Sequence, residues 1–276
     1  MDISAYTNEL VIKDGIWQSK HDTSFSYSAD GNSRCYEIEE NSFWFRHRNN
    51  CILALLASFL PVENFLEIGG GNGIVAKAIQ DSGIETILME PGITGAQNAL
   101  HRGIRHVISA TLDEAGIRPK TIHAAGLFDV LEHIESEYDF LRSIHNILTD
   151  SGKLFLTVPA YTLIWSSDDA YAGHYRRYTL NGLQKALCRS GFHIEYATYF
   201  FSVLPLPIFL RRTVPSMLGF QKNREAQSKH MREHSIKSRF MENILNRIWD
   251  WELMRIHERK SIPFGSSCMA VATKQI

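Results

Sequence analysis

The chain has 276 residues, of which 44% are hydrophobic and 21% charged, and that composition excludes a disordered chain, a collagen and a coiled-coil rod. Its 29 Lys and Arg nearly cancel its 30 Asp and Glu, leaving a net charge of −1. So even a balance excludes the broad positive field that steers proteins onto nucleic acid.

The N-terminal MDISAYTNEL has neither the basic region nor the apolar region of a signal peptide. Residues 1–40 read as irregular, with turn-prone pieces such as Ser28-Ala29-Asp30-Gly31-Asn32. Ser42 can cap a helix running to about Leu60, ahead of Pro61. From residue 64 short β-rich runs alternate with helical runs. A strand over 65–68 ends in glycines, and a helix over 73–81 is closed by Gly83. Strands follow over 86–89, 105–108 and 122–128. A helix over 138–148 carries Phe140, Leu141, Ile144 and Leu148 on one face. Ser151-Gly152 turns into a strand over 154–158. Thr179 caps a helix that stops at Gly191, and strands over 193–200 and 268–273 complete the pattern. Strands alternating with helices imply a mostly parallel sheet covered on both faces.

Residues 221–260 differ in composition, with ten Lys and Arg against six Asp and Glu. Phe240, Ile244, Ile248 and Trp251 recur there at helical spacing, which suggests an amphipathic helix packed on the rest of the chain. The longest apolar runs, 51–60 and 199–210, fall short of the roughly 20 residues that cross a bilayer. Cys35, Cys51, Cys188 and Cys268 form no CxxC pair, which suits a reducing cytosol better than a disulfide framework or a zinc site. The expectation is a cytoplasmic protein without an integral membrane segment or a nucleic-acid partner, acting as a monomer or homodimer.

The most informative stretch is Phe65-Leu66-Glu67-Ile68-Gly69-Gly70-Gly71-Asn72-Gly73. A strand running straight into Gly-x-Gly-x-Gly and then a helix makes a tight turn whose backbone a ligand can approach closely. Glu90 ends the next strand, 21 residues after Gly69. A carboxylate there can accept both ribose hydroxyls of a nucleoside. Gly71 to Ala76 also fits G-x-G-x-x-A, the dinucleotide fingerprint, so a nicotinamide-dependent oxidoreductase or epimerase competes. No Tyr-x-x-x-Lys pair supports that rival.

Taken together, these residues resemble a class I S-adenosylmethionine-dependent methyltransferase. Glu67-x-Gly69-x-Gly71-x-Gly73 resembles that superfamily's first motif. Phe128-Asp129-Val130-Leu131-Glu132-His133-Ile134 resembles its fourth, in the version with Leu-Glu-His. Ser151-Gly152 stands where Pro-Gly-Gly is usual. Val158-Pro159-Ala160, Leu163-x-Trp165-Ser166, Asp169, Gly173-His174 and Arg176-Arg177-Tyr178 resemble a bacterial small-molecule branch. So do Glu40-x-Ser42-Phe43-Trp44-Phe45-Arg46-x-Arg48, with Ser42 where a His is common, and Pro263-Phe264-Gly265. The resemblance spans roughly 36–210 and the last strand.

It implies an α/β, Rossmann-like sheet of seven mostly parallel strands with helices on both faces. A helical cap over 1–60 and a helical lid over 201–266 would join a cofactor-binding core over 61–200 and 267–276 in one domain. S-adenosylmethionine is the implied cofactor. Gly69, Gly70, Gly71 and Gly73 would line its methionine part and Glu67 would orient its ammonium group. Glu90 and Pro91 would hold the ribose, Thr111 and Leu112 would flank the adenine, and Asp129 and Val130 would sit at the methionine end. Arg46 or Arg48 could pair with its carboxylate, whose geometry a guanidinium matches.

Methyl transfer releases a neutral leaving group, so alignment does most of the work. A hydroxyl acceptor gains from a base, and His133 and His174 are the candidates. Arg176 and Arg177 could meet an anionic substrate group, while Trp44, Tyr161, Trp165 and Asp169 are candidate substrate contacts. Glu132, His133 and Asp169 make a conceivable metal set with too few oxygen ligands for a hard cation, so no metal is expected. The expected activity is O-methylation of a sugar, sugar nucleotide or other anionic metabolite. A lipid or quinone-like acceptor is the rival, with Phe200, Phe201, Leu204, Leu206 and Phe209 as a candidate apolar slot.

Overall fold

A computed structural model describes residues 2–20, 36, 39, 42–59, 61–218 and 239–275. Cys35, Glu40, Leu60, the 28–32 turn and much of the basic stretch lie outside the described residues, as does the side chain of Phe240.

The described residues form nine strands: β1 (Leu10–Lys13), β2 (Ile16–Ser19), β3 (Asn64–Ile68), β4 (Glu85–Met89), β5 (His106–Ser109), β6 (Ile122–Phe128), β7 (Leu148–Pro159), β8 (Phe192–Phe200) and β9 (Ser267–Lys274). Their order in one sheet is β1-β2-β5-β4-β3-β6-β7-β9-β8. Neighbours from β2 through β7 pair in parallel, while β9 runs antiparallel between β7 and β8. The expected seven strands are present.

The count of seven is corrected to nine by a hairpin in the stretch read as irregular. Asp14 and Gly15 hold positive φ angles of 50° and 81°, the two-residue turn that Asp-Gly favours because its twist suits a hairpin. Leu10 and Ile16 are buried while Ile12 is 60% exposed, so one face of the hairpin joins the core. β2 then pairs with β5 through Trp17–Ile108 and Gln18–Ser109.

The α-helices include α1 (Phe43–Ala57), α2 (Ile74–Asp81), α3 (Ile93–His101), α4 (Leu112–Ala115), α5 (Glu137–Ile147), α6 (Ser167–Ala172), α7 (Leu180–Arg189) and α8 (Arg239–His257). Ser42 caps α1 by accepting from Trp44 N at 3.2 Å. α3, α4 and α6 go beyond the sequence reading. The buried face of α3 is Gly95, Ala96 and Ala99, residues too small to register as an apolar stripe. Thr111 starts α4 in a capping box with Glu114.

α8 packs against α1. Trp249 stacks on His47 at 4.8 Å and on Phe43 at 5.4 Å. The face of α8 that turns inward differs from the expected stripe. Trp249, Glu252 and Ile256 are buried, while Ile244 and Trp251 are exposed and Ile248 is half-buried. The reason is polar: the Glu252 carboxylate accepts from Phe201 N at 3.0 Å, from Ser202 N at 2.6 Å and from the Ser202 hydroxyl. These bonds fix the rotation of α8. Successive helical turns over Pro205–Ile208, Phe209–Thr213 and Val214–Met217 are tied to α6 by Ser167 N donating to Ser216 Oγ at 3.1 Å and by Arg212–Asp168 at 3.4 Å. Among the described residues no helix is long and apolar enough to cross a membrane.

Candidate active site

Every segment of interest leaves the carboxyl end of a parallel strand, where open α/β sheets place ligands. The glycine loop follows β3, Glu90 follows β4, Thr111 follows β5 and Asp129 follows β6. Two cavities, of about 430 and 320 Å³, meet there and share Gly69, Gly71, Asp129 and His133 in their walls.

The glycine loop is held by Gly69 N and Gly70 N donating to Met89 O at 2.8 and 3.2 Å. Gly69 and Gly71 have φ of 73° and 54°, a region that penalises side chains. A Cβ at Gly69 would lie 2.8 Å from Val130 Cγ2, whereas one at Gly71 would meet nothing within 4 Å. A side chain at Gly71 would therefore stand in the cleft itself. Gly73 caps α2 and lines neither cavity.

Glu90 is buried and accepts from Gly71 N and Gly92 N, each at 2.9 Å. It lines the larger cavity with Pro91, Thr111, Leu112 and Val130. Glu67 and Gly70 line the smaller one with Trp44 and Arg48. Glu67 is wholly buried, and burial, opposed mainly by the Arg48 charge, pushes its carboxyl up to about 8. Its Oε2 has no hydrogen-bond partner, so in the ionised form it can accept from a cationic donor.

The structure separates the two candidate guanidiniums. Arg46 is exposed and lines neither cavity. Arg48 is buried, pairs with Asp129 at 2.7 Å and donates to Phe128 O at 2.7 Å. Asp129, at φ 59°, also accepts from Thr157 Oγ1 at 3.1 Å. The Arg48 charge thus fixes the residue that follows β6.

Behind His133 lies a polar cluster. The His133 and His174 rings meet edge to face, 4.7 Å apart. His174 Nδ1 is 2.9 Å from Asp169 Oδ1. Asp169 also pairs with Arg177 at 2.7 Å and accepts from Ser166 N at 2.9 Å. Burial works against its ionisation, but the bonds from His174 and Arg177 outweigh it and hold the carboxyl well below the usual carboxylate range. Burial, then the neighbouring His174, lowers the His133 pKa, so that ring is neutral near pH 7. Burial, then the Asp129 charge, pushes the Glu132 carboxyl well above its ordinary value.

The remaining candidates sit outside both cavities. Arg176 pairs with Glu137 at 3.0 Å and donates to Glu135 O at 2.7 Å. Both arginines of the adjacent pair therefore have internal partners. Tyr161 stacks on Tyr199 at 5.0 Å, and Trp165 is half-buried. The candidate apolar slot is dispersed: Phe200 and Phe201 are core residues, while Leu206 is 65% exposed. Sequence reasoning missed Asn72, whose amide donates to Glu39 at 3.0 Å and whose oxygen accepts from Asn98 at 2.9 Å. Its place inside the glycine loop was the available signal.

A family model described as a methyltransferase domain matches residues 44–197. A probable S-adenosylmethionine-dependent methyltransferase of Mycobacterium tuberculosis, found in two strains, is 26% identical over 124 residues. That match spans 45% of this chain and 45% of the relative, so less than half of either protein is compared. Among solved structures, Haemonchus contortus phosphoethanolamine N-methyltransferase 2 in complex with S-adenosyl-L-methionine aligns at a TM-score of 0.57 and 18% identity, over 94% of this chain and 62% of that one. A Haloferax volcanii putative methyltransferase, in complex with the activator Trm112, aligns at 0.57 and 13% identity, over 91% and 98%. At these identities the structural matches establish the fold.

Proposed function

Because the chain belongs to the methyltransferase-domain family, we propose that it carries a methyl group from S-adenosylmethionine to a hydroxyl of a small polar metabolite, a sugar or sugar nucleotide first among the candidates. The observation that carries the reading is His133, in the wall shared by both cavities, with His174 and Asp169 aligned behind it.

The cofactor fits the residues present. The unpartnered Glu67 Oε2 suits its ammonium group, and the open space over Gly71 suits its close approach to the backbone. Glu90, pinned by two amides, would hold the ribose, with Thr111 and Leu112 beside the adenine. When bound, S-adenosylmethionine supplies a methyl group on a sulfonium that departs as a neutral thioether. This chain's residues do the rest. Arg48 holds Asp129 at the junction of the cavities, and alignment of the methyl group with its acceptor there can contribute roughly 7–11 kcal/mol. The His133–His174 pair handles the acceptor's hydroxyl proton, a task that adds about 10²–10⁴-fold.

Arg176 and Arg177 are matched by Glu137 and Asp169, so the case for an anionic acceptor rests no longer on them. The test is transfer of labelled methyl from S-adenosylmethionine across a panel of hydroxyl-bearing and amine-bearing metabolites. Labelling of a hydroxyl is expected; labelling confined to amines would sink the reading.

A further inference from the structure

We infer that Glu132, His133 and His174 form a binding site for one divalent transition-metal ion, at the acceptor end of the cleft. The inference rests on the transferase reading for its role, since it explains how the histidine pair handles a hydroxyl. Each residue offers one ligand atom, and the three atoms lie within 4.8 Å of one another.

Glu132 supplies an independent observation. It is 1% exposed, and its Oε2 is buried without a hydrogen-bond partner. A buried carboxylate oxygen left alone costs free energy unless something occupies it. A cation between Glu132 and two imidazoles would do so.

His174 is oriented as ligating histidines are. Its Nδ1 is engaged by Asp169, which Arg177 and Ser166 hold in place, and this offers Nε2 to a metal. A carboxylate behind a ligating imidazole sets the tautomer and raises its basicity. Two imidazoles and one carboxylate suit iron, cobalt, nickel or zinc rather than the oxygen-seeking magnesium or calcium. Three protein ligands leave coordination positions open. His133 lines both cavities, so one ligand of the three stands in the wall of the cleft. A hydroxyl bound to the ion gives its proton to solvent at lower pH than a free one, so the histidine pair would act on that proton through the ion it holds.

The sequence pairs Glu132 and His133 with Asp169. The structure puts His174 in that place and moves Asp169 behind it. A second histidine cluster, His47, Cys51 and Glu252, is set aside because its carboxylate already accepts from His47, Phe201 and Ser202.

The test strips the full chain with chelator and titrates it with Co²⁺, reading the visible absorption band. One Co²⁺ per chain, displaced by Zn²⁺, is expected. Glu132→Gln and His174→Ala should abolish the band yet still bind S-adenosylhomocysteine, which certifies their fold. Asp169→Asn should weaken cobalt about 10–100-fold, and Cys51→Ser should leave it unchanged. No band in the wild type, or a band lost in Cys51→Ser and kept in His174→Ala, overturns the site. Binding of S-adenosylhomocysteine by the stripped wild type is read separately. Its failure overturns the transferase reading, whereas its success without cobalt binding overturns the ion alone.

Discussion

Glu252 and Glu132 are both buried, at 0% and 1% exposure, and each has a histidine close by. The Glu252 carboxylate accepts from His47 at 2.8 Å, from two backbone amides and from a hydroxyl. Burial alone would raise its pKa, but those bonds outweigh it and hold the carboxyl below its ordinary value. Glu132 has an oxygen with no partner, and its carboxyl is pushed up. The same residue type at the same depth thus joins α1 to α8 in one place and stands in reserve beside the cleft in the other. Burial does not distinguish the two carboxylates; the count of their donors does.

The sharpest way to break that distinction is Glu252→Ala. It strands His47 and two amides, and loss of one partner in a buried pair costs about 3–5 kcal/mol. Urea denaturation should show a loss of that size, and a change below about 1 kcal/mol would erase the contrast. His174→Ala comes next. Steady-state kinetics should show kcat/KM lower by about 10²–10⁴-fold, with a smaller urea loss than in Glu252→Ala, because Arg177 and Ser166 still hold Asp169.

A smaller effect concerns Glu67. Its carboxyl titrates near 8 when folded and near 4.3 when unfolded. Between these values the folded chain holds a proton that the unfolded chain lacks, so stability falls as pH rises, by up to about 1.4 kcal/mol per unit. The cofactor's ammonium group needs the ionised form. Affinity for S-adenosylhomocysteine, measured calorimetrically, should therefore rise about tenfold per pH unit up to about 8. In Glu67→Gln the profile should be flat. The smallest expected change is the stability of Glu132→Gln, within about 1 kcal/mol of the wild type, because an amide of the same shape replaces a carboxyl that has an oxygen without a partner. A loss of several kcal/mol would place Glu132 in the same class as Glu252.

Much of the cleft was legible because its signals are local. Gly69, Gly71 and Glu90 announce themselves by spacing along two adjacent strands and their turns. Asp14-Gly15 was equally local and passed unread, for the strands on either side are only four residues long. α3 hid behind alanines. The partners of Arg176 and Arg177 could not be read, because charge matching depends on Glu137 and Asp169 arriving from other parts of the chain. The same holds for His174, which reaches Glu132 only through the turn after β7. Spacing along the chain suggests which groups carry chemistry; folding decides which of them are already matched.

The place of β9 bears on the order of assembly. It follows the other eight strands in chain order, yet it lies between β7 and β8, and among the described residues β8 has no other strand partner. On a ribosome, the cofactor half from β3 to β7 can pair as it emerges, since domains form from the N-terminal side during synthesis. β8 must wait for its strand partner until residues 267–274 are released, whereas the partners of α8 on α1 have already emerged. Until then that edge of the sheet stands unpaired, and an unpaired strand edge is where a folding intermediate is open to aggregation.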